Sequence, residues 1–102
     1  LHFLGTEPFW GGHAKGTVLT YTTPEDAEGQ TITVSRFAGR GGIAFSGKFH
    51  GQTFDMAVTE GECSDGMSDK AYPFSVTLHV EGNIRTGCAW SVEHPATGPA
   101  KP

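Results

Sequence analysis

The most chemically versatile side chains of this 102-residue chain lie in one polar segment, residues 59–74, which reads TEGECSDGMSDKAYPF. Its carboxylates and hydroxyls are oxygen ligands of the kind that Ca²⁺ prefers. The spacing departs from that of an EF-hand loop, because Cys63 and Met67 stand where that loop needs oxygen donors. Alternatively, the same side chains form Asx and Ser turns that satisfy the backbone groups of the loop itself. We favour the turns and expect neither a metal nor a cofactor.

The second half of this segment combines charge with an aromatic ring. Asp69 and Lys70 are adjacent, and Tyr72 follows just before a proline. These residues could present an ionic and aromatic surface to a partner, and the candidate binding residues are Ser68, Asp69, Lys70 and Tyr72. Alternatively, Asp69 and Lys70 are only solvated, while Tyr72 packs and hydrogen-bonds.

A further dense segment, residues 5–12, reads GTEPFWGG. Trp10 is a large apolar residue beside glycines, which is typical of a place where the first strand of a barrel bends or where the barrel end is plugged. Glu7 is unusual in such company and would need a partner, such as one of the three arginines of the chain. We take Glu7 and Trp10 as candidate binding residues. The alternative is an aromatic plug with a hydrogen-bonded acid.

The two cysteines, Cys63 and Cys88, are 25 positions apart, and neither belongs to a CxxC pair or a recognisable nucleophile motif. On the chain-entropy model a disulfide between them would contribute roughly 3.5 kcal/mol, a useful increment for a small domain. Such a bond would imply an oxidising compartment. The alternative is a pair of buried free thiols in a cytosolic protein. We predict the disulfide.

Other chemistry has little support in the sequence. The five histidines lack the spacing of a local metal site, no serine lies in a GxSxG motif, and no glycine-rich run has phosphate-loop spacing. Carboxylates such as Glu7, Asp55 and Glu60 could converge in three dimensions, although Asp55 alternates outward between apolar neighbours. A net charge of −4 with seven scattered basic residues argues against nucleic acid. We expect a protein that is not an enzyme and does not bind nucleic acid.

Fifteen glycines and six prolines divide the chain into short apolar stretches, which disfavours a helical domain. Alternation of apolar and polar residues predicts six strands. They lie in residues 17–22, 30–35, 43–49, 54–58, 74–80 and 84–90. The opening residues 1–4 and 8–10 could add one or two more. In the last strand, Ile84, Cys88 and Trp90 share a face, which we expect to point inward.

The connections are typical of hairpins. His50-Gly51, Gly82-Asn83 and the run from Arg40 to Gly42 suit tight turns that need positive φ. The connection in residues 23–29 differs, because Thr23 as N-cap, Pro24 at the first helical position and a closing glycine predict one short helical turn.

These elements predict an all-β domain in which a small antiparallel meander closes into a barrel, with a two-sheet sandwich as the alternative. Residues 1–93 would form this single domain, and residues 94–102 a flexible C-terminal tail rich in proline. No apolar run is long enough to span a bilayer, and the chain starts at Leu1 as though already processed. We expect membrane attachment only through a lipid anchor outside this chain.

Three motifs together resemble an uncharacterised family of bacterial cell-envelope domains that often occur in predicted lipoproteins, sometimes beside META-type domains. The motifs are GTEPFW in residues 5–10, CSDGMSD in residues 63–69 followed by Tyr72 and Pro73, and GCA in residues 87–89. The resemblance implies export, a disulfide, and a periplasmic or outer-membrane-anchored location. It implies no activity.

The chain is more distantly similar to the membrane-bound inhibitors of C-type lysozyme, which are small disulfide-bearing β-barrels of the envelope. Those proteins present a serine-containing loop, a tyrosine and a lysine to the catalytic carboxylates of lysozyme. Here Ser64, Ser68, Lys70 and Tyr72 have the right types but not the right spacing.

We therefore expect a non-catalytic cell-envelope domain with a binding or structural role and a protein partner in the envelope. The first alternative is an inhibitor of a lysozyme-type hydrolase. A less favoured alternative is a carrier that holds a small ligand inside the barrel, because the apolar residues predicted for the interior would fill a small barrel themselves.

Overall fold

Eight antiparallel strands follow one another around a closed barrel in the computed structural model, which describes residues 1–6, 9–64, 66 and 70–97. The strands are β1 (His2–Thr6), β2 (Phe9–Lys15), β3 (Val18–Thr23), β4 (Asp26–Gly39), β5 (Gly42–Phe49), β6 (Gln52–Cys63), β7 (Tyr72–Val80) and β8 (Asn83–Trp90). Each strand pairs with the next, and β1 pairs with β8 to close the barrel. The predicted all-β meander, its closure into a barrel and the single disulfide are confirmed.

The core lies inside the barrel and receives side chains from all eight strands. Alternate residues of each strand point inward, so the apolar residues that define the predicted strands meet at the centre. The buried residues are Phe3, Trp10, Ala14, Leu19, Tyr21, Ile32, Val34, Phe45, Phe49, Phe54, Met56, Val58, Val76, Leu78, Val80 and Ala89. Burying a side chain of the size of Phe54 contributes roughly 1.5–3 kcal/mol.

Trp10 is the largest of these core side chains, and two glycines make room for it. The residue is only 5 % exposed, and its ring centroid lies 5.8 Å from that of Phe3. A β-carbon on Gly5 would lie 1.9 Å from the indole Nε1, and one on Gly87 would lie 2.0 Å from the Leu4 carbonyl oxygen and 3.0 Å from the indole Cζ2. The indole therefore lies against two bare stretches of backbone in the neighbouring strands β1 and β8.

The side chains of β8 that point into the barrel are not the ones that we predicted. Ala89 is opposite Phe3 of β1 and Phe74 of β7, whereas Cys88 is opposite Leu4 and Ser75. Since residues opposite one another share a face, Ala89 points into the barrel and Cys88 points out. The prediction that Ile84, Cys88 and Trp90 face inward was therefore wrong. The inner face of β8 is short of bulky apolar residues because the Trp10 indole occupies the space beside Gly87.

Arg85 also lies on the inner face of β8, opposite the buried Leu78. It is half-buried and hydrogen-bonds with the Tyr21 side chain. Burial raises the pKa of Tyr21 above its ordinary value, while Arg85 acts in the opposite direction. The phenol of Tyr21 therefore stays protonated at neutral pH. Its ring packs edge-on against the rings of Phe49 and Phe54.

The connection between β3 and β4 is a tight hairpin, and the short helical turn predicted in residues 23–29 was wrong. β3 continues to Thr23, β4 begins at Asp26, and only residues 24–25 form the turn. Gly29 has a φ of +87°, and its N–H donates to Asp26 Oδ1 over 3.1 Å. A helix this short gains too few hydrogen bonds to offset its nucleation, whereas strand pairing satisfies most of the same backbone groups.

The C-terminal residues 91–97 leave the barrel after β8 and form a short turn, in which the His94 N–H donates to Ser91 Oγ over 3.0 Å. The His94 ring packs edge-on against Phe74 with a centroid distance of 5.9 Å. Within the described residues there is no helix with the length and apolarity needed to cross a membrane.

We predict that Gly5→Ala and Gly87→Ala each destabilise the protein by about 1–3 kcal/mol or more, because the added methyl group meets the indole or the Leu4 backbone. Urea unfolding of each variant measures the loss. Gly39→Ala is the matched control, since a β-carbon there would meet no atom within 4 Å. Equal stability of all three variants would show that Trp10 is not packed in this way.

Candidate functional site

The disulfide lies on the outer wall of the barrel and joins two strands that are not neighbours. Cys63 ends β6, Cys88 lies on β8, and β7 runs between these strands. The two Cα atoms are 5.6 Å apart and the sulfur atoms 2.02 Å. Strands on either side of a third are normally about 10 Å apart, so the end of β6 must lean across β7. We call Cys63, Cys88 and the bond between them the clasp.

A bulge in β6 makes this lean possible. The β6–β7 register shifts between Glu60, which is opposite Phe74, and Cys63, which is opposite Tyr72. Gly61 lies within the shift with a φ of +149°, a value that residues with a β-carbon rarely adopt. Bulges bend the strand that carries them and re-aim its side chains. Here the bulge turns Cys63 toward the outer face of β8.

The clasp is surrounded by a second, smaller group of buried side chains outside the barrel core. Tyr72 is 5 % exposed and Cys88 1 %, yet neither belongs to the core inside the barrel. The ring centroids of Tyr72 and Trp90 are 5.4 Å apart, and the Trp90 ring is in turn stacked with His2. The Cys63 sulfur lies 3.3 Å from the carbonyl oxygen of Gly87. The base of the loop is therefore packed against the barrel wall as well as covalently bonded to it.

The predicted site residues fall in three different environments. Lys70 is exposed at the end of the polar loop, and Tyr72 lies under the loop in the packing around the clasp. Trp10 is inside the barrel. Glu7, Ser68 and Asp69 lie outside the described residues.

The clasp region and Trp10 nevertheless meet at Gly87. The indole approaches the inner side of this residue, while the Cys63 sulfur contacts its carbonyl oxygen. One described residue of each sequence motif, Trp10, Cys63 and Gly87, thus lies at the same short stretch of the barrel wall.

A cleft of about 290 Å³ lies beside the clasp. Its lining is rich in hydroxyl groups, with Ser75 and Thr77 from β7, Thr86 from β8, and Thr6 and Ser64 at its ends. Because they alternate with the buried residues of their strands, Ser75 and Thr77 could have been recognised from the period of two along β7. What the sequence could not indicate is that the clasp would be placed over them.

A second cleft, of about 280 Å³, lies on the other side of Tyr72 and involves the C-terminal segment. The Ala71 N–H donates to the Thr97 carbonyl oxygen over 2.6 Å, and the Thr97 N–H donates to the Ala71 carbonyl oxygen over 2.8 Å. Pro95 and Thr97 line this cleft together with Glu62. Pro95 and Thr97, which we assigned to the tail from sequence, thus line the cleft. Residues 98–102 lie outside the described part of the chain.

Within the loop itself, one described side chain bonds to a nearby backbone group. The Gly66 N–H donates to Ser64 Oγ over 3.2 Å, which is a serine turn of the kind expected from sequence. Among the described residues no group of three or more His, Cys, Asp or Glu side chains could hold a metal ion. Asp65, Met67 and Asp69 lie outside the residues described.

A serine, an aspartate and a histidine lie side by side on the outer wall, on β5, β6 and β7. Ser46 is opposite Asp55, and Asp55 is opposite His79. The Ser46 hydroxyl donates to Asp55 Oδ1 over 2.7 Å. In a hydrolase triad the histidine stands between the serine and the acid, because it must take the proton of the serine. Here the acid occupies the middle position, so the arrangement is a cross-strand hydrogen bond rather than an activated nucleophile.

Scans of protein-family models, curated proteins and solved structures found nothing that matches this chain. The resemblance to envelope domains therefore stays a prediction from the three motifs. The properties of the site have to be argued from its own geometry.

We predict that replacing both Cys63 and Cys88 by serine costs about 2–4 kcal/mol of unfolding free energy, because the bond closes a loop of 25 positions. Urea unfolding measures this loss, and intact mass before and after reduction verifies the bond. Ser46→Ala is a control for a lost polar contact on another part of the wall and should cost about 1 kcal/mol. A serine pair as stable as the unmodified protein would contradict the prediction.

Proposed function

We propose that this protein is a non-catalytic binding domain of the bacterial cell envelope, and that its recognition surface consists of the clasped loop and the two clefts beside it. The main support is the position of the disulfide. Both cysteines fix a polar loop to the outer wall, while the interior is already filled by side chains from all eight strands. A segment that is covalently fixed at one end loses less conformational entropy on binding than a free one.

The composition of the surface favours a polar partner. Hydroxyl groups line the first cleft, whereas Glu62 and the exposed Lys70 lie at the base and end of the loop. Such a surface offers hydrogen-bonding groups together with side chains of both charges. These features favour a protein, or another polar component of the envelope, as the binding partner. The disulfide is compatible with an exported protein, and export to the periplasm or to an outer-membrane anchor is part of the proposal.

A carrier of small ligands is less well supported by the same geometry. A ligand inside the barrel would have to displace core side chains such as Phe54, Leu78 and Leu19, which have no exposed surface. The clefts described above open on the outside of the wall instead. The proposal therefore places binding on the outer surface.

Site-specific photocrosslinking in the native bacterium tests the proposed surface. We predict that a photoreactive amino acid at Ser64 gives a discrete adduct with an envelope component. The matched control is Thr31, an exposed position on β4, on the other side of the barrel from β8. The Ser64 adduct should disappear when the clasp is removed by Cys63→Ser and Cys88→Ser. An adduct of equal yield from both positions, or one that survives loss of the clasp, would contradict the proposal.

Inhibition of a lysozyme-type hydrolase is a second candidate, and the exposure of Lys70 beside the clasp favours it. A cation at the end of this loop could approach the catalytic carboxylates of such an enzyme. We predict that micromolar protein slows the lysis of bacterial cells by a C-type lysozyme and that Lys70→Ala relieves this inhibition. Lys48→Ala, at an exposed position of β5, is the control that should leave it intact. Unimpeded lysis would rule out this second candidate and leave the binding proposal standing.

A further inference from the structure

The barrel has an open edge on β4. β4 has 14 residues, but β3 covers only its first part, since the last contact between them is the hydrogen bond from the Val34 N–H to the Thr17 carbonyl oxygen over 2.9 Å. Beyond this point the segment Ser35–Gly39 pairs with β5 alone. All five of its residues are exposed, and the Phe37 side chain is 61 % exposed. We call this segment the open edge.

Alternation along the strand identifies the backbone groups that the open edge presents. The Val34 N–H points toward β3, so the backbone groups of Arg36 and Ala38 point to that same side, whereas those of Ser35 and Phe37 point to β5. Among the described residues, no backbone group pairs with Arg36 or Ala38 on the β3 side. Two N–H donors and two carbonyl acceptors in register are what an additional strand requires.

The side chains around the edge indicate which strand would fit. Ala38 is opposite Ile43, and both line a cavity of about 210 Å³ with Leu1, Val58 and Phe74. A residue paired with Ala38 would point its side chain to the same face and could enter this cavity if it were apolar. Arg36 lies two positions before Ala38 on β4, and Arg40 lies two positions after it, in the turn that leads to β5. Acidic residues of the incoming strand would lie beside them, while Glu60 lines the cavity on the β6 side.

A second copy of the chain fits this edge poorly. If two copies paired antiparallel with Arg36 at the centre, the Arg36 residues of the two copies would lie opposite each other. With Ala38 at the centre, Arg36 of one copy would lie opposite Arg40 of the other. Pairing centred on Phe37 would leave the two Arg36 residues diagonal on one face. Like charges in these positions are destabilising. The two arginines thus favour a strand that carries carboxylates.

We propose that the open edge binds an extended acidic segment of a partner protein by strand addition. In this segment an apolar residue enters the cavity beside Ala38, with a carboxylate residue two positions away on each side. The segment becomes a ninth strand next to β4, and its backbone pairs with Arg36 and Ala38. This surface is separate from the clasped loop and does not depend on it.

The experiment uses the full chain labelled with ¹⁵N and the capped heptapeptide Ser-Glu-Thr-Val-Thr-Glu-Ser. We expect weak binding with a Kd of about 0.1–1 mM, and slower amide exchange of Arg36 and Ala38 in the complex. The Ser35 and Phe37 amides, which already bond to β5, should be protected with or without peptide. The matched peptide with lysine in place of both glutamates should bind about tenfold more weakly or not at all.

Two variants test the backbone and the charge separately. Ala38→Pro removes the N–H that would donate to the added strand, so it should abolish binding. The variant should still fold, because this N–H points away from β5 and proline is tolerated at such an edge position. Arg36→Glu leaves the backbone unchanged and should abolish the preference for the glutamate peptide, because the introduced carboxylate would repel one glutamate of the peptide while Arg40 still attracts the other. Three results would each overturn the proposal. The unmodified protein could bind both peptides with equal affinity, binding could survive Ala38→Pro, or the Arg36 and Ala38 amides could already be protected by a second copy at millimolar protein.

Discussion

The absence of a side chain at Gly87 is the constraint on which most of this structure depends. On the inner side of the wall, the bare backbone allows the Trp10 indole to lie across β1 and β8. At the same residue, the Cys63 sulfur contacts the carbonyl oxygen, and the next residue forms the disulfide. A β-carbon at this position would displace the backbone of Leu4 or the indole. The core of the barrel and the attachment of the loop therefore meet at one residue.

The two faces of the barrel wall differ in their packing, and we propose that recognition uses what the core leaves open. The inner face is filled by the core except for the cavity beside Ala38, so the surfaces that we propose for binding are the clefts beside the clasp and the open edge of β4 with that cavity. Each depends on a strand that extends beyond its neighbour. β6 continues past its bulge to carry Cys63 across β7, and β4 continues past the end of its pairing with β3. Such extensions supply binding surfaces without disturbing a small, closely packed core.

Much of the fold could be predicted from the sequence because strand formation leaves a local trace. Alternation in residues 74–80 and similar stretches identified strands, and the turn at His50-Gly51 was predicted correctly, whereas the turn predicted at Gly82-Asn83 lies one residue earlier, at Glu81-Gly82. The orientation of β8 could not be predicted locally, because its apolar residues serve the packing around the clasp while Trp10 fills the interior beside Gly87. The hydroxyl-lined cleft and the open edge depend on register and strand length, which no short sequence pattern specifies.

The central claim is that the disulfide fixes the base of the loop to the wall, while the barrel stays folded without it. Amide hydrogen exchange of the oxidised and the reduced protein tests it most directly, because Ala71 and Thr97 bond to each other at the end of the loop while Phe54 and Leu78 lie in the barrel. After reduction, we expect the Ala71 and Thr97 amides to exchange at nearly the unprotected rate while Phe54 and Leu78 remain protected. Loss of protection throughout the barrel, or unchanged protection at Ala71 and Thr97, would contradict this account.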